Sequence, residues 1–283
     1  MSRKRGSRFS GGINRGEVQI CLPDRFAYNR ERFGVALLRR SVRSSRFPRA
    51  RDGMLTLFHH PSCPHSRFVR LILEELGLTA RLVEVRAWER REDFLMLNPA
   101  GTTPVLVEEG VPPVPSAAII AEYLFETRGG VAAPPGLMPR ETGERIEVRR
   151  LMSWFNDKFY AEASGPLVTE RVYKRFIPAG DGGGPPDTEI MRAARSNIRY
   201  HLTYIGWLVR KRDWLAGDHL TYADLSAAAH LSAIDYLGDV PWNEDETAKA
   251  WYARIKSRPS FRALLGETLP GLPPAPSYAN LDF

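Results

Sequence analysis

The spacing of apolar residues changes character along this 283-residue chain. "MLTLF" from Met54 reads as a short buried strand. From Pro64 to Leu76 the period becomes helical, with Phe68, Leu71, Ile72 and Leu76 on one face and Gly77 as the stop. "ARLVEV" predicts a second strand. "TTPVLVEEG" and "VPPVPS" predict two more, joined by a Glu-Glu-Gly turn. Ser116 then stands where a helix cap is expected, ahead of "AAIIAEYLFETRGG". A β-α-β unit followed by β-β-α predicts a small mixed sheet with helices packed on it, an α+β class.

Past the Pro/Gly-rich stretch "GGVAAPPGLMPRETG" the pattern is helical throughout. Val148, Leu151, Met152, Phe155 and Phe159 trace one core stripe, and Ala194, Ile198, Leu202, Ile205 and Val209 a second. In "GDHLTYADLSAAAHL", Thr221 and Asp224 stand at the N-cap and N3 of a helix, close to a capping box. The ending "PGLPPAPSYANLDF" cannot be helical through its prolines and is expected to be extended. The pattern divides the chain into an arm (1–53), an α/β unit (54–130), a linker (131–143), a helical unit (144–266) and a tail (267–283).

Charge singles out the arm. Residues 1–53 hold 14 Lys/Arg and 4 Asp/Glu, a net of +10, so the chain's +7 leaves the other 230 residues at −3. Arg, Ser and Gly dominate the arm, a composition that rarely offsets its own ordering entropy. A nucleic-acid arm or a transit peptide would share that composition. A disordered extension, with Met54 as an alternative start, is the expectation, and a net-negative body argues against nucleic acid as a partner. No stretch is apolar enough to span a membrane as a helix. The His residues show no metal-ligand spacing.

Candidate chemistry centres on "HHPSCPHSRF". Cys63 precedes a helix, where the macrodipole favours a thiolate, and such positions bring thiol pKa values to roughly 3.5–7.5. Arg67 and a protonated His65 are expected to help. The other cysteine, Cys21, lies in the arm, so Cys63 has no resolving thiol nearby in sequence and two cysteines suit a reducing compartment.

"NPAGTTPVL", "LAGDHLTYADL" and "SRPSFRALL", in that order, resemble the glutathione S-transferase family over about residues 54–266. The resemblance implies a thioredoxin-like domain, then an all-helical domain, in a homodimer. It also implies a cis peptide before Pro104 and a glutathione site built on Thr103, Pro104 and Ser116. The run from Cys63 through Pro64 to Arg67 is similar to the cysteine-type, omega-class transferases, with Cys63 as the catalytic thiol. The Glu-Ser or Gln-Ser pair that anchors the γ-glutamyl group is here Pro115-Ser116, which implies an altered site and no cofactor unless glutathione still binds.

Further stretches, including "AWERREDFLMLNPAGTTPVLVEE" and the ending "PAPSYANLDF", resemble a branch of that family whose members bind the division GTPase FtsZ. That resemblance implies a non-catalytic cytoplasmic protein acting on FtsZ filaments at the bacterial division site. A glutathione-dependent transferase or thiol transferase using Cys63 is the alternative. For the partner surface, Trp88 beside Arg90 and Arg91 has the composition of a binding hot spot, although a Trp folded onto its own sheet fits equally. Tyr278 and Phe283 are the tail's candidate contacts, if the tail serves a partner rather than packing back on the body.

Overall fold

The computed structural model describes residues 54–129 and 136–281. The arm, part of the linker and Phe283 lie outside the described residues.

The α/β unit is a four-stranded mixed sheet in the order β2-β1-β3-β4. β1 (Leu55–His59) is buried along its whole length and pairs in parallel with β2 (Ala80–Glu84), Leu57 opposite Leu82. On its other side it runs antiparallel to β3 (Val105–Val107), which pairs antiparallel with β4 (Val114–Pro115). Pro115, which has no N–H to give a ladder, sits on β4, one of the two edge strands.

Helix α1 (Pro64–Glu75) has proline in its first turn, where a missing N–H costs nothing. It buries Phe68, Val69, Leu71, Ile72 and Leu73, each worth roughly 1.5–3 kcal/mol of transfer free energy. It ends where Gly77 turns left-handed, φ 65°. The short α2 (Glu92–Leu97) and α3 (Ala117–Arg128) complete this unit.

In the helical unit, α4 (Thr142–Ser153) runs on through a π-helical segment (Trp154–Ser164) into α5 (Gly165–Arg171). The long α6 (Thr188–Val209), α7 (Tyr222–Asp235), α8 (Glu246–Lys256) and a last turn α9 (Arg262–Leu265) follow. Every residue of α7 is buried, and α1 packs chiefly against it. Asp224 fastens the start of α7, accepting from Thr221 N (2.9 Å), Thr221 Oγ1 (3.0 Å), Leu215 N (2.9 Å) and Trp251 Nε1 (3.0 Å). The cap expected from sequence thus extends to a second helix.

Two local expectations are corrected. Ser116 precedes α3 but makes no capping bond: its φ of 70° bends the chain sharply from β4 into the helix and turns the hydroxyl elsewhere. The tail is not helical, as expected, but it is neither extended throughout nor free: it folds through turns closed by Leu272 N–Leu269 O (3.1 Å) and Tyr278 N–Ala275 O (2.9 Å). Ala275 N bonds Tyr236 O (2.9 Å), Tyr236 Oη donates to Leu272 O (2.7 Å), and Tyr278 is fully buried.

Candidate functional site

Cys63 closes the turn that leads from β1 into α1. Its N–H reaches His60 O (3.0 Å), and its carbonyl accepts the Arg67 N–H (3.0 Å) that opens the helix. The side chain is 6% exposed, on the floor of a cavity of about 260 Å³. Thr102, Thr103 and Ser116 line that cavity together with His60, Trp88, Tyr160 and Tyr173. The Thr103–Pro104 peptide is cis, and Ser116 N bonds Pro104 O (3.2 Å), which draws the Thr103 loop and the start of α3 together. The thiol donates weakly to Thr103 O at 3.7 Å.

Burial pushes the Cys63 thiol up, yet it lies at about 7, below its ordinary value. Burial is the largest single influence, but a hydrogen bond and the charge of His65, with smaller help from Ser66 and Thr103, together outweigh it. Burial likewise opposes a charge on His65, but Cys63, the Asn156 carbonyl and Asp157 carry its pKa upward. The His65 ring is held by Asn156 O at 2.9 Å and by the Tyr160 ring at 4.4 Å.

His60 behaves oppositely: burial, then Arg86 and Arg67, lower it to about 4, so it is a neutral wall of the cavity at pH 7. Burial raises Tyr160 to about 12, with the Cys63 charge adding to it, and pushes Tyr173 well above its usual range. The arrangement is a thiolate–imidazolium pair in a cavity lined partly by aromatic rings and partly by Thr102, Thr103 and Ser116, able to attack a soft electrophile or a disulfide.

The remaining sequence candidates divide. Thr103, Pro104 and Ser116 come together beside Cys63. Arg67 does not join them: it is fully buried and turned away, donating to Pro61 O (2.8 Å), Ser232 Oγ (3.1 Å) and Tyr278 Oη (2.9 Å). The role expected of it at the thiol falls to His65.

Trp88 is neither an exposed anchor nor folded onto its own sheet. It is half-buried across the domain junction, 4.8 Å from the Tyr173 ring, 5.2 Å from His60, and stacked on Phe176 at 6.3 Å. Arg90, left-handed at φ 46°, and Arg91, paired with Asp93 at 2.5 Å, are exposed beside it. Tyr278 is withdrawn from any surface role by its burial, and its hydroxyl donates to Leu264 O (3.1 Å).

Sequence reasoning missed Tyr160 and Tyr173 as cavity residues. Tyr160 follows the core residue Phe159, and an ordinary helix would have turned it from the cavity. The wide π turns, visible where Gly165 N bonds Tyr160 O five residues back, re-aim it. Nothing in a helical-wheel reading signals that.

The same two-domain pattern appears in the family comparisons. Residues 57–132 match the glutathione S-transferase N-terminal domain, and residues 187–267 match the glutathione S-transferase C-terminal domain. The chain belongs to the glutathione S-transferase family. It is 45% identical over 231 residues to FtsZ-localized protein A of Caulobacter vibrioides, a match covering 81% of this chain and 98% of that protein. Among solved structures, a glutathione S-transferase from Sinorhizobium meliloti 1021 is similar at 50% identity, with a TM-score of 0.79 over 81% of this chain and all of that one. FzlA from C. crescentus is similar at 44% identity, with a TM-score of 0.75 over the same shares. Among the described residues no helix is long and apolar enough to cross a membrane, and no cluster of His, Cys, Asp and Glu is arranged to hold a metal.

Proposed function

We propose that this protein binds FtsZ filaments at the bacterial division site and uses the transferase fold as a binding scaffold rather than for turnover. The observation that carries this reading is the 45% identity with FtsZ-localized protein A over 98% of that protein's length, a match to the whole chain of that relative rather than to a glutathione-binding module. Arg90 and Arg91 stand exposed beside the half-buried Trp88, and an acidic partner such as FtsZ suits them. A cytoplasmic homodimer, the usual state of the family, would carry two such faces.

Co-sedimentation with GTP-assembled FtsZ tests the proposal. The protein is expected in the pellet with GTP filaments and in the supernatant with GDP. Arg90→Glu combined with Arg91→Glu is expected to weaken binding at least about tenfold, because it reverses the two exposed charges that face an acidic partner. A pellet no richer than the FtsZ-free blank overturns the reading. Light scattering at the same concentrations reads the dimer.

One observation favours a second reading, glutathione-dependent chemistry: the thiol sits in a cavity and lies at about 7. Against it, the γ-glutamyl anchor is Pro115-Ser116, which offers neither a carboxylate nor an amide. Glutathione conjugation that vanishes in Cys63→Ala would promote this reading. Saturable glutathione binding without turnover would leave a ligand site on a binding protein.

A further inference from the structure

Tyr278 and the loop that carries Cys63 are tied to one guanidinium. Arg67 is fully buried, and among the described residues no carboxylate lies within ion-pair distance of it. Its acceptors are three neutral oxygens: Pro61 O, Ser232 Oγ and Tyr278 Oη; Nη2 has none. The tail therefore supplies one of the few groups that compensate a buried cation, a position where each lost partner is expensive.

The guanidinium is rigid and planar, so Nε and Nη1 move as one body. Nε holds Pro61 O at 2.8 Å, and Nη1 holds Tyr278 Oη at 2.9 Å. Pro61 leads directly into Ser62 and Cys63. Ser62 Oγ is 2.8 Å from His60 Nδ1, and Cys63 N is bonded to His60 O, so a shift at Pro61 passes to two cavity walls.

We infer that Arg67 and Tyr278 are positioning residues for the Cys63 loop, and that docking of the C-terminal tail is coupled through them to the state of the Cys63 cavity. Ala279, Asn280 and Leu281 emerge exposed just beyond Tyr278, so a partner that grips the end of the tail pulls on this chain of bonds. Coupling of this kind is reciprocal: what fills the cavity changes how firmly the tail docks, by the same factor.

The test uses the full chain. Alkylation of Cys63 by iodoacetamide is followed by peptide mass spectrometry across pH 5.5–9, with Cys21 as an internal reference. Tyr278→Phe keeps the ring and removes only the hydroxyl. It is expected to change the Cys63 rate at pH 7 by about threefold or more and to move the midpoint of its pH profile, with Cys21 unaffected. His65, with Ser66 and Thr103, lowers the Cys63 thiol in both proteins, and His60, Tyr160, Tyr173 and the Arg67 guanidinium are the other titratable or charged groups around the cavity; the substitution removes none of them.

The reciprocal arm needs no variant. Deuterium uptake over residues 269–281 of the native chain is compared before and after Cys63 is alkylated with a bulky maleimide, and is expected to rise. A folded Tyr278→Phe with an unchanged pH profile overturns the inference. Should that variant not fold, unchanged uptake in the alkylated native chain does so.

Discussion

Two opposing influences govern the proton on Cys63: its own burial and the neighbouring His65. Burial raises the thiol, and His65 brings it back to about 7, so the thiolate persists above roughly that pH and is lost below it. In His65→Ala only the smaller helpers oppose burial. The alkylation midpoint should move upward, and the rate at pH 7 should fall by about tenfold or more, because thiolate is the reacting form. An unchanged midpoint would assign the shift to the helix terminus. Trp88→Ala is expected to cost about 1–3 kcal/mol in urea unfolding, less than a fully buried Trp, because only part of the ring is removed from water. A cost near zero would mean that its contacts with Tyr173 and Phe176 contribute nothing to holding the two domains. Cys63 was legible in sequence because a cysteine immediately ahead of a helical stripe is a local arrangement, and the Thr103–Pro104 loop was legible only through its resemblance to the family. Trp88 and Arg67 were not: their partners, Tyr173 and Tyr278, lie 85 and 211 positions further along the chain.

At the scale of elements, periodicity worked where a helix or strand buries a single face. The stripe in α1 and the cap of α7 follow from spacings of three to four residues, and β1 from a short continuous apolar run buried along its whole length. It failed where the backbone leaves the regular period, as in the π segment that turns Tyr160 to the cavity and at Ser116, whose positive φ takes its hydroxyl out of the cap. A non-glycine residue in that region of φ is uncommon and clusters at functional sites. Asp224 gives the sharpest element-scale prediction. Asp224→Ala strands the buried donors Leu215 N, Thr221 N and Trp251 Nε1, at about 1–3 kcal/mol each. Equilibrium unfolding should show a loss of at least about 3 kcal/mol, against about 1 kcal/mol for Thr221→Ala, which removes only a capping hydroxyl. Equal losses in the two variants would return Asp224 to the role of an ordinary capping residue.

Across the whole molecule, the two domains are joined by more than the chain between them. Arg258 grips Glu75 through two bonds of 2.6 and 2.7 Å, Ser260 adds a third, and Arg70 holds Glu267 at 2.8 Å, so the C-terminal residues clamp α1 from outside. The tail completes that clamp. Removing residues 267–283 takes away the buried Tyr278 and Leu269, uncovers Tyr236 and Leu264, and leaves Arg67 short of an acceptor. Burial of one tyrosine and one leucine contributes about 3–5 kcal/mol, and an impoverished buried cation adds to the loss. At about 2–4 °C per kcal/mol for a body of this size, the melting temperature should fall by roughly 10 °C or more. A tail that served only as a peptide for a partner would leave it within a few degrees. Calorimetry on the truncated and full-length chains decides between them, and a second measurement guards the reading. If the loss is due to Tyr278 and its contacts, Tyr278→Ala in the full-length chain should reproduce most of it, whereas a loss confined to the truncation would move the responsibility to Leu269 and to the Arg70–Glu267 pair.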